Sequence, residues 1–94
     1  MYKIGDAVVS LGKPGIVVDV LTSASGEQTY IKMMSADLIA RFADNSGGEL
    51  IDTGYHVVPC DKETVIKSID SYIKMLNGRI AKLNEFKEKL NGNV

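Results

Sequence analysis

Hydrophobic positions change their period partway along the chain. Up to about residue 60 the apolar residues fall in short runs separated by glycine, proline and small polar residues, whereas from Lys62 onward they recur every three or four positions. The first pattern predicts strands joined by turns, and the second predicts one long amphipathic helix. Ala7 to Ser10 and Ile16 to Leu21 are rich in β-branched residues. With Gly12-Lys13-Pro14-Gly15 between them, where glycine frees φ and proline fixes it, they predict a hairpin. Thr22 to Gly26 is a polar loop, and Glu27 to Met33 alternates so that Ile31 and Met33 share one face. Leu38 to Ala43 fits either a helical turn capped by Ser35 or a strand running into the loop Asp44-Asn45-Ser46-Gly47-Gly48, and that loop favours the strand. Glu49 to Thr53 and Tyr55 to Val58, bent at Gly54, complete a sheet of about five short antiparallel strands. So small an amphipathic sheet is expected to close into a barrel, with Tyr2, Tyr30, Phe42 and Tyr55 packed in its core.

The helix has a legible start. Pro59 blocks helix before it, Asp61 suits the N-cap, and Glu63 places negative charge in the first turn. Good helix formers continue to about Asn91, with Lys87 and Lys89 in the last turn and Gly92 beyond it. Written as heptads abcdefg, Ile66, Ile73 and Ile80 occupy a, while Ile69, Leu76, Leu83 and Leu90 occupy d; Lys87 is the one polar a residue. Isoleucine at a with leucine at d favours parallel two-stranded coiled coils. Asn77-Gly78 admits a break into a helical hairpin, but the heptad phase runs through it and Gly78 falls at the outward f position. Val65, Tyr72 and Phe86 at g widen the apolar stripe, and Asp70, Asn77, Asn84 and Asn91 at e leave the usual g-to-e ion pairs almost missing. The g residues either dock on the chain's own barrel or widen the seam toward a trimer, a tetramer or an antiparallel bundle. The competing arrangement folds the whole helix back on its own barrel; helix length and the separation of Ile from Leu favour association between chains. The expected fold class is therefore α+β. A small antiparallel barrel over 1–60 precedes an oligomerisation helix over 61–94.

The segment Tyr2-Lys3-Ile4-Gly5-Asp6-Ala7-Val8-Val9, followed by Gly12-Lys13-Pro14-Gly15-Ile16-Val17-Val18, resembles the opening of SH3-like small barrels, among them KOW-type, Tudor-like and CarD-like modules. Val57-Val58-Pro59 resembles their closing strand. The resemblance spans the first two thirds of the chain and implies an SH3-like barrel. Through KOW-type and CarD-like relatives it also implies a partner such as RNA, the ribosome or RNA polymerase.

Charge opposes that last implication. The net charge is −1, but residues 1–61 carry four Lys or Arg against eight Asp or Glu, and the remainder carries seven against four. An acidic barrel without a basic, aromatic-studded patch does not attract a phosphate backbone. With 94 residues and 45% hydrophobic content the chain is one small domain, near the size at which extra burial through assembly contributes most. The single cysteine, Cys60, forms no intramolecular disulfide, and the opening residues lack a basic segment followed by a long apolar run. The expected compartment is the cytoplasm, with no membrane partner.

Catalytic and metal chemistry find little footing. His56 is the only histidine, too few for an ordinary zinc site within one chain. Cys60 near His56 and Asp61 has the residue types of a nucleophile, base and orienting acid, but a proline corner separates them and no oxyanion hole accompanies them. No pattern requires a cofactor. The expectation is a non-enzymatic homo-oligomeric binding protein that docks onto another protein in a regulatory or inhibitory role, of a kind common among small bacterial or phage proteins. Ile66, Ile69, Ile73, Leu76, Ile80, Leu83 and Leu90 serve assembly, while Lys13 and Asn45, from loop tips, and Arg41 serve partner contact. Two other readings are a transcription- or ribosome-associated nucleic-acid module, and a carrier that sequesters a small anionic metabolite between subunits with Lys74, Arg79 and Lys82.

Overall fold

The computed structural model describes residues 1–52 and 54–92. Strands β1 (Ala7–Ser10), β2 (Lys13–Thr22), β3 (Gln28–Ser35), β4 (Ala40–Ser46), β5 (Glu49–Asp52), β6 (Tyr55–His56) and β7 (Val58–Pro59) precede the helix α1 (Lys62–Leu90). All neighbours are antiparallel, in the spatial order β6-β5-β4-β3-β2-β1-β7. The two edge strands belong to one short segment. Tyr55 and His56 pair with β5, Val58 and Pro59 pair with β1, and the Val57 N–H between them donates to the Leu50 carbonyl at 3.1 Å. This segment joins the ends of the sheet and makes a nearly closed small antiparallel barrel, consistent with an SH3-like one. The expected single strand over Tyr55 to Val58 is thus two pieces serving opposite edges, and the described residues hold seven strands rather than about five. Thr53, the expected end of the preceding strand, lies outside the described residues.

The turns differ from expectation in an instructive way. The first hairpin turns at Leu11-Gly12, with φ of 56° and 71°, so that Ser10 pairs with Lys13 and Pro14 pairs with Val9 inside the ladder. Two successive positive φ values match the right-handed twist of the flanking strands, a geometry that glycine tolerates and leucine adopts at a cost. Gly15 is therefore no turn residue. It lies within β2 against β3, where a Cβ would stand 2.3 Å from the Met34 carbonyl oxygen. The strand chosen for Leu38 to Ala43 is present, shifted to Ala40–Ser46: Leu38, at φ 64°, closes the turn after Ser35, and Gly47-Gly48 turns into β5.

Val8, Val17, Ile31, Met33, Ala43 and Val57 form the core, and Tyr2, Val20 and Leu50 pack against it. A bulge between Val17 and Asp19 re-phases β2. Without it Val17 and Val20, three apart, would point to opposite faces. Of the four barrel aromatics expected in the core, only Tyr2 packs there. Tyr30 stacks on Phe42 with centroids 6.1 Å apart, and Phe42 and Tyr55 are exposed.

The helix runs unbroken through Asn77-Gly78 to Leu90. Asp61 caps it, accepting the Thr64 N–H at 2.8 Å and the Thr64 hydroxyl. At 29 residues it is about 44 Å long, and the Cα extents of 66 × 23 × 21 Å show that it projects from the barrel instead of folding back over it.

Candidate functional site

The barrel's outer face, at the paired residues Ile16 and Met34, receives the first turns of α1. Val65 is buried there, and Ser68, Tyr72 and Leu76 are half-buried. These positions lie on one side of the helix because three or four residues make a turn. Two of the g residues thus face the chain's own barrel, as one of the two expectations for them has it. Phe86, the third, does not.

From Asn77 to Leu90 every residue is exposed. Leu83 is 66% exposed, Phe86 68% and Leu90 84%, while Ile66, Ile73 and Ile80 are each about half exposed on the same side. An amphipathic helix ordinarily buries such a stripe, and an apolar side chain of this size contributes roughly 1.5–3 kcal/mol when fully buried. Here the seven a and d residues form a continuous band that the chain itself leaves largely uncovered. Alongside the band, between helix and barrel, lies a cleft of about 260 Å³ walled by Ile16, Met34, Leu38, Val65, Tyr72 and Leu76. Leu38, carried out on its left-handed turn, is 72% exposed at the rim. The helix band was legible from heptad spacing; the cleft was not, since it joins three separated segments.

Lys13, Arg41 and Asn45 are not at loop tips: Lys13 opens β2, Arg41 and Asn45 lie within β4, and each is engaged. Lys13 Nζ lies 3.6 Å from Asp37 Oδ2 beside the helix. A Ser35 hydroxyl bond, chiefly, and Lys13 hold the Asp37 carboxyl below the usual carboxylate range. Arg41 is turned onto Asp52, with Nε to Oδ2 at 2.6 Å. Asn45 Nδ2 donates to the Gln28 carbonyl at 3.0 Å, and its Oδ1 accepts the Gly48 N–H at 3.1 Å. Asn45 also borders an open groove of about 610 Å³ with Tyr2, Gln28, Leu50 and His56. Gln28 is spent there on the backbone of Tyr2, accepting its N–H at 3.0 Å and donating to its carbonyl at 2.9 Å. Lys74, Arg79 and Lys82 are exposed along α1.

Burial, aided by the Asp61 charge, pushes the Cys60 thiol up, opposite to what a nucleophilic cysteine needs. His56 Nδ1 lies 3.2 Å from Glu49 Oε2 on the exposed sheet edge. Among the described residues, no group of three or more His, Cys, Asp or Glu side chains is placed to hold a metal ion, and no helix is long and apolar enough to cross a membrane.

Comparison with protein-family models, with curated proteins and with solved structures finds no match to this chain.

Proposed function

We propose that the protein is a non-enzymatic homo-oligomeric binding module: α1 assembles copies through an intermolecular coiled coil, and the assembly presents several SH3-like barrels to another protein. The observation that supports this reading is the apolar a and d band of α1, left exposed from Ile80 to Leu90. A lone helix with that band in water is costly, and a second helix is the usual cover for a 3.5-residue repeat. Repetition of the barrel would raise avidity for a repeated or symmetric target, which suits a regulatory or inhibitory role in the cytoplasm. Kinship with KOW-type, Tudor-like or CarD-like modules is part of the same proposal. The acidic barrel directs it toward protein partners over nucleic acid.

Native mass spectrometry and light scattering on the purified chain test the assembly. A multiple of the chain mass that reverts to monomer in Leu83→Asp, with the β-sheet circular-dichroism signal retained, is the expected result. A monomer at all working concentrations removes the proposal.

A further inference from the structure

The two flanks of the apolar band are unlike each other, and that difference fixes how a second copy lies on the first. Val65, Tyr72, Arg79 and Phe86 line the g flank, and Asp70, Asn77, Asn84 and Asn91 line the e flank. In a parallel pair g faces e of the other helix, so Tyr72 would meet an asparagine and Phe86 another. In an antiparallel pair g faces g and e faces e, which brings Tyr72 against Phe86 toward both ends of one side, with Arg79 near its own copy at the centre, and leaves the polar Asp70, Asn77 and Asn84 together on the other. Lys87 points the same way. Parallel helices would set this a-position lysine against its own copy in the seam, whereas antiparallel ones set it against a d residue, along which its aliphatic stem lies while the ammonium reaches water.

On the homo-oligomer reading above, we infer that the second copy docks antiparallel, with its distal helix half in the notch between α1 and the barrel and its Phe86 in the apolar cleft. The register that opposes Ile66 to Leu90, Ile73 to Leu83 and Leu76 to Ile80 keeps every seam layer except Ile69 with Lys87 wholly apolar. In that register the partner's Phe86 is level with residue 70 on the g side, beside Tyr72 and below the Leu38 rim, where the cleft of about 260 Å³ opens. The cleft is incomplete without that ring, since Tyr72 and Leu76 are only half-buried by the chain's own barrel. Charge agrees with the orientation. Residues 77–90 carry four Lys or Arg against two Glu, and antiparallel docking lays that basic stretch beside a barrel region with four Lys or Arg against eight Asp or Glu. Parallel docking would instead set two acidic barrels side by side.

The test uses the full chain with Cys60→Ser as background. Asn77→Cys lies beside the two-fold axis of this register, which passes at residue 78, offset from its copy by only about 3 Å along the helix, and is expected to join two chains through a short bis-maleimide. Ile66→Cys lies about 36 Å from its copy along the axis and is expected not to form an interchain disulfide. Phe86→Ala is expected to raise the dimer dissociation constant about tenfold or more, by emptying two clefts. Disulfide formation by Ile66→Cys, or a species other than two chains, overturns the antiparallel docking while leaving an oligomer standing. A monomeric parent chain removes the oligomer itself. A dissociation constant unchanged by Phe86→Ala overturns the cleft assignment.

Discussion

Arg41 and Asp52 form an ion pair set into the barrel: Arg41 Nε donates to Asp52 Oδ2 over 2.6 Å, and the same oxygen accepts the Ser10 hydroxyl at 3.0 Å. One carboxylate oxygen thereby ties β4, β5 and β1 together. The side chains are 17% and 6% exposed, so water cannot replace a lost partner cheaply. Removing one member of such a pair strands the other charge, which costs more than the pair contributes to stability. Arg41→Leu is therefore expected to lower unfolding free energy by about 3 kcal/mol, read from the urea midpoint at constant slope. Restoring much of that loss by adding Asp52→Leu would identify the stranded charge as the cause.

Gly15 is held by the approach of two strands. A Cβ there would stand 2.3 Å from the Met34 carbonyl oxygen and 2.8 Å from the Ser35 Cα, and both are backbone atoms that no rotamer change can move aside. Gly15→Ala must push β3 away from β2, at the upper end of the roughly 1–3 kcal/mol typical of overpacking. Thermal unfolding checks it: a midpoint like the parent's would show that the strands part freely.

Local sequence signals located most elements and misassigned the ones decided by distant neighbours. Asp61, Glu63, Lys87 and Gly92 mark the helix ends by local chemistry, and the helix runs from Lys62 to Leu90 as they imply. Ile31 and Met33 alternate because β3 is half-buried, and they are in the core. Gly15 reads as a turn glycine beside Pro14, since nothing local reveals β3 lying against it. Leu11 and Leu38 carry turns with positive φ, a conformation that leucine gives no reason to expect. Val57 divides an apolar run into two edge strands only because the barrel closes there. For the candidate site, the a and d band follows from spacing within one helix, whereas the cleft depends on Ile16 and Leu38 arriving from elsewhere. Arg41 looks like a free cation until β5 brings Asp52 to it.

Gly78 interrupts a run of good helix formers without serving any contact. It has helical backbone, and a Cβ there meets nothing within 4 Å. Glycine in a helix interior costs roughly 0.5–1 kcal/mol relative to alanine, chiefly through backbone entropy of the unfolded chain. Gly78→Ala is expected to raise stability by about that amount and, being at the outward f position, to leave the native mass unchanged. A loss of helical circular dichroism would show that the glycine serves a bend.

Strong acid should loosen the start of the helix. Asp61 is held below the usual carboxylate range, first by its bond from the Thr64 hydroxyl, then by the Thr64 N–H, with Lys67 adding a smaller pull against slight desolvation. A lowered folded-state pKa means that this stabilisation is present above the unfolded value of about 3.9 and is lost as pH falls through the folded value. The Asp61 contribution is thus fully present at neutral pH and disappears only in strong acid. Asp61→Asn keeps an acceptor for the Thr64 N–H but cannot titrate. Its stability should fall less steeply than the parent's across that acid window, with helical circular dichroism followed during thermal unfolding at each pH. Parallel acid limbs for the two proteins would assign the acid sensitivity to Asp37, whose carboxyl is lowered chiefly by Ser35 and also by Lys13, instead of the cap.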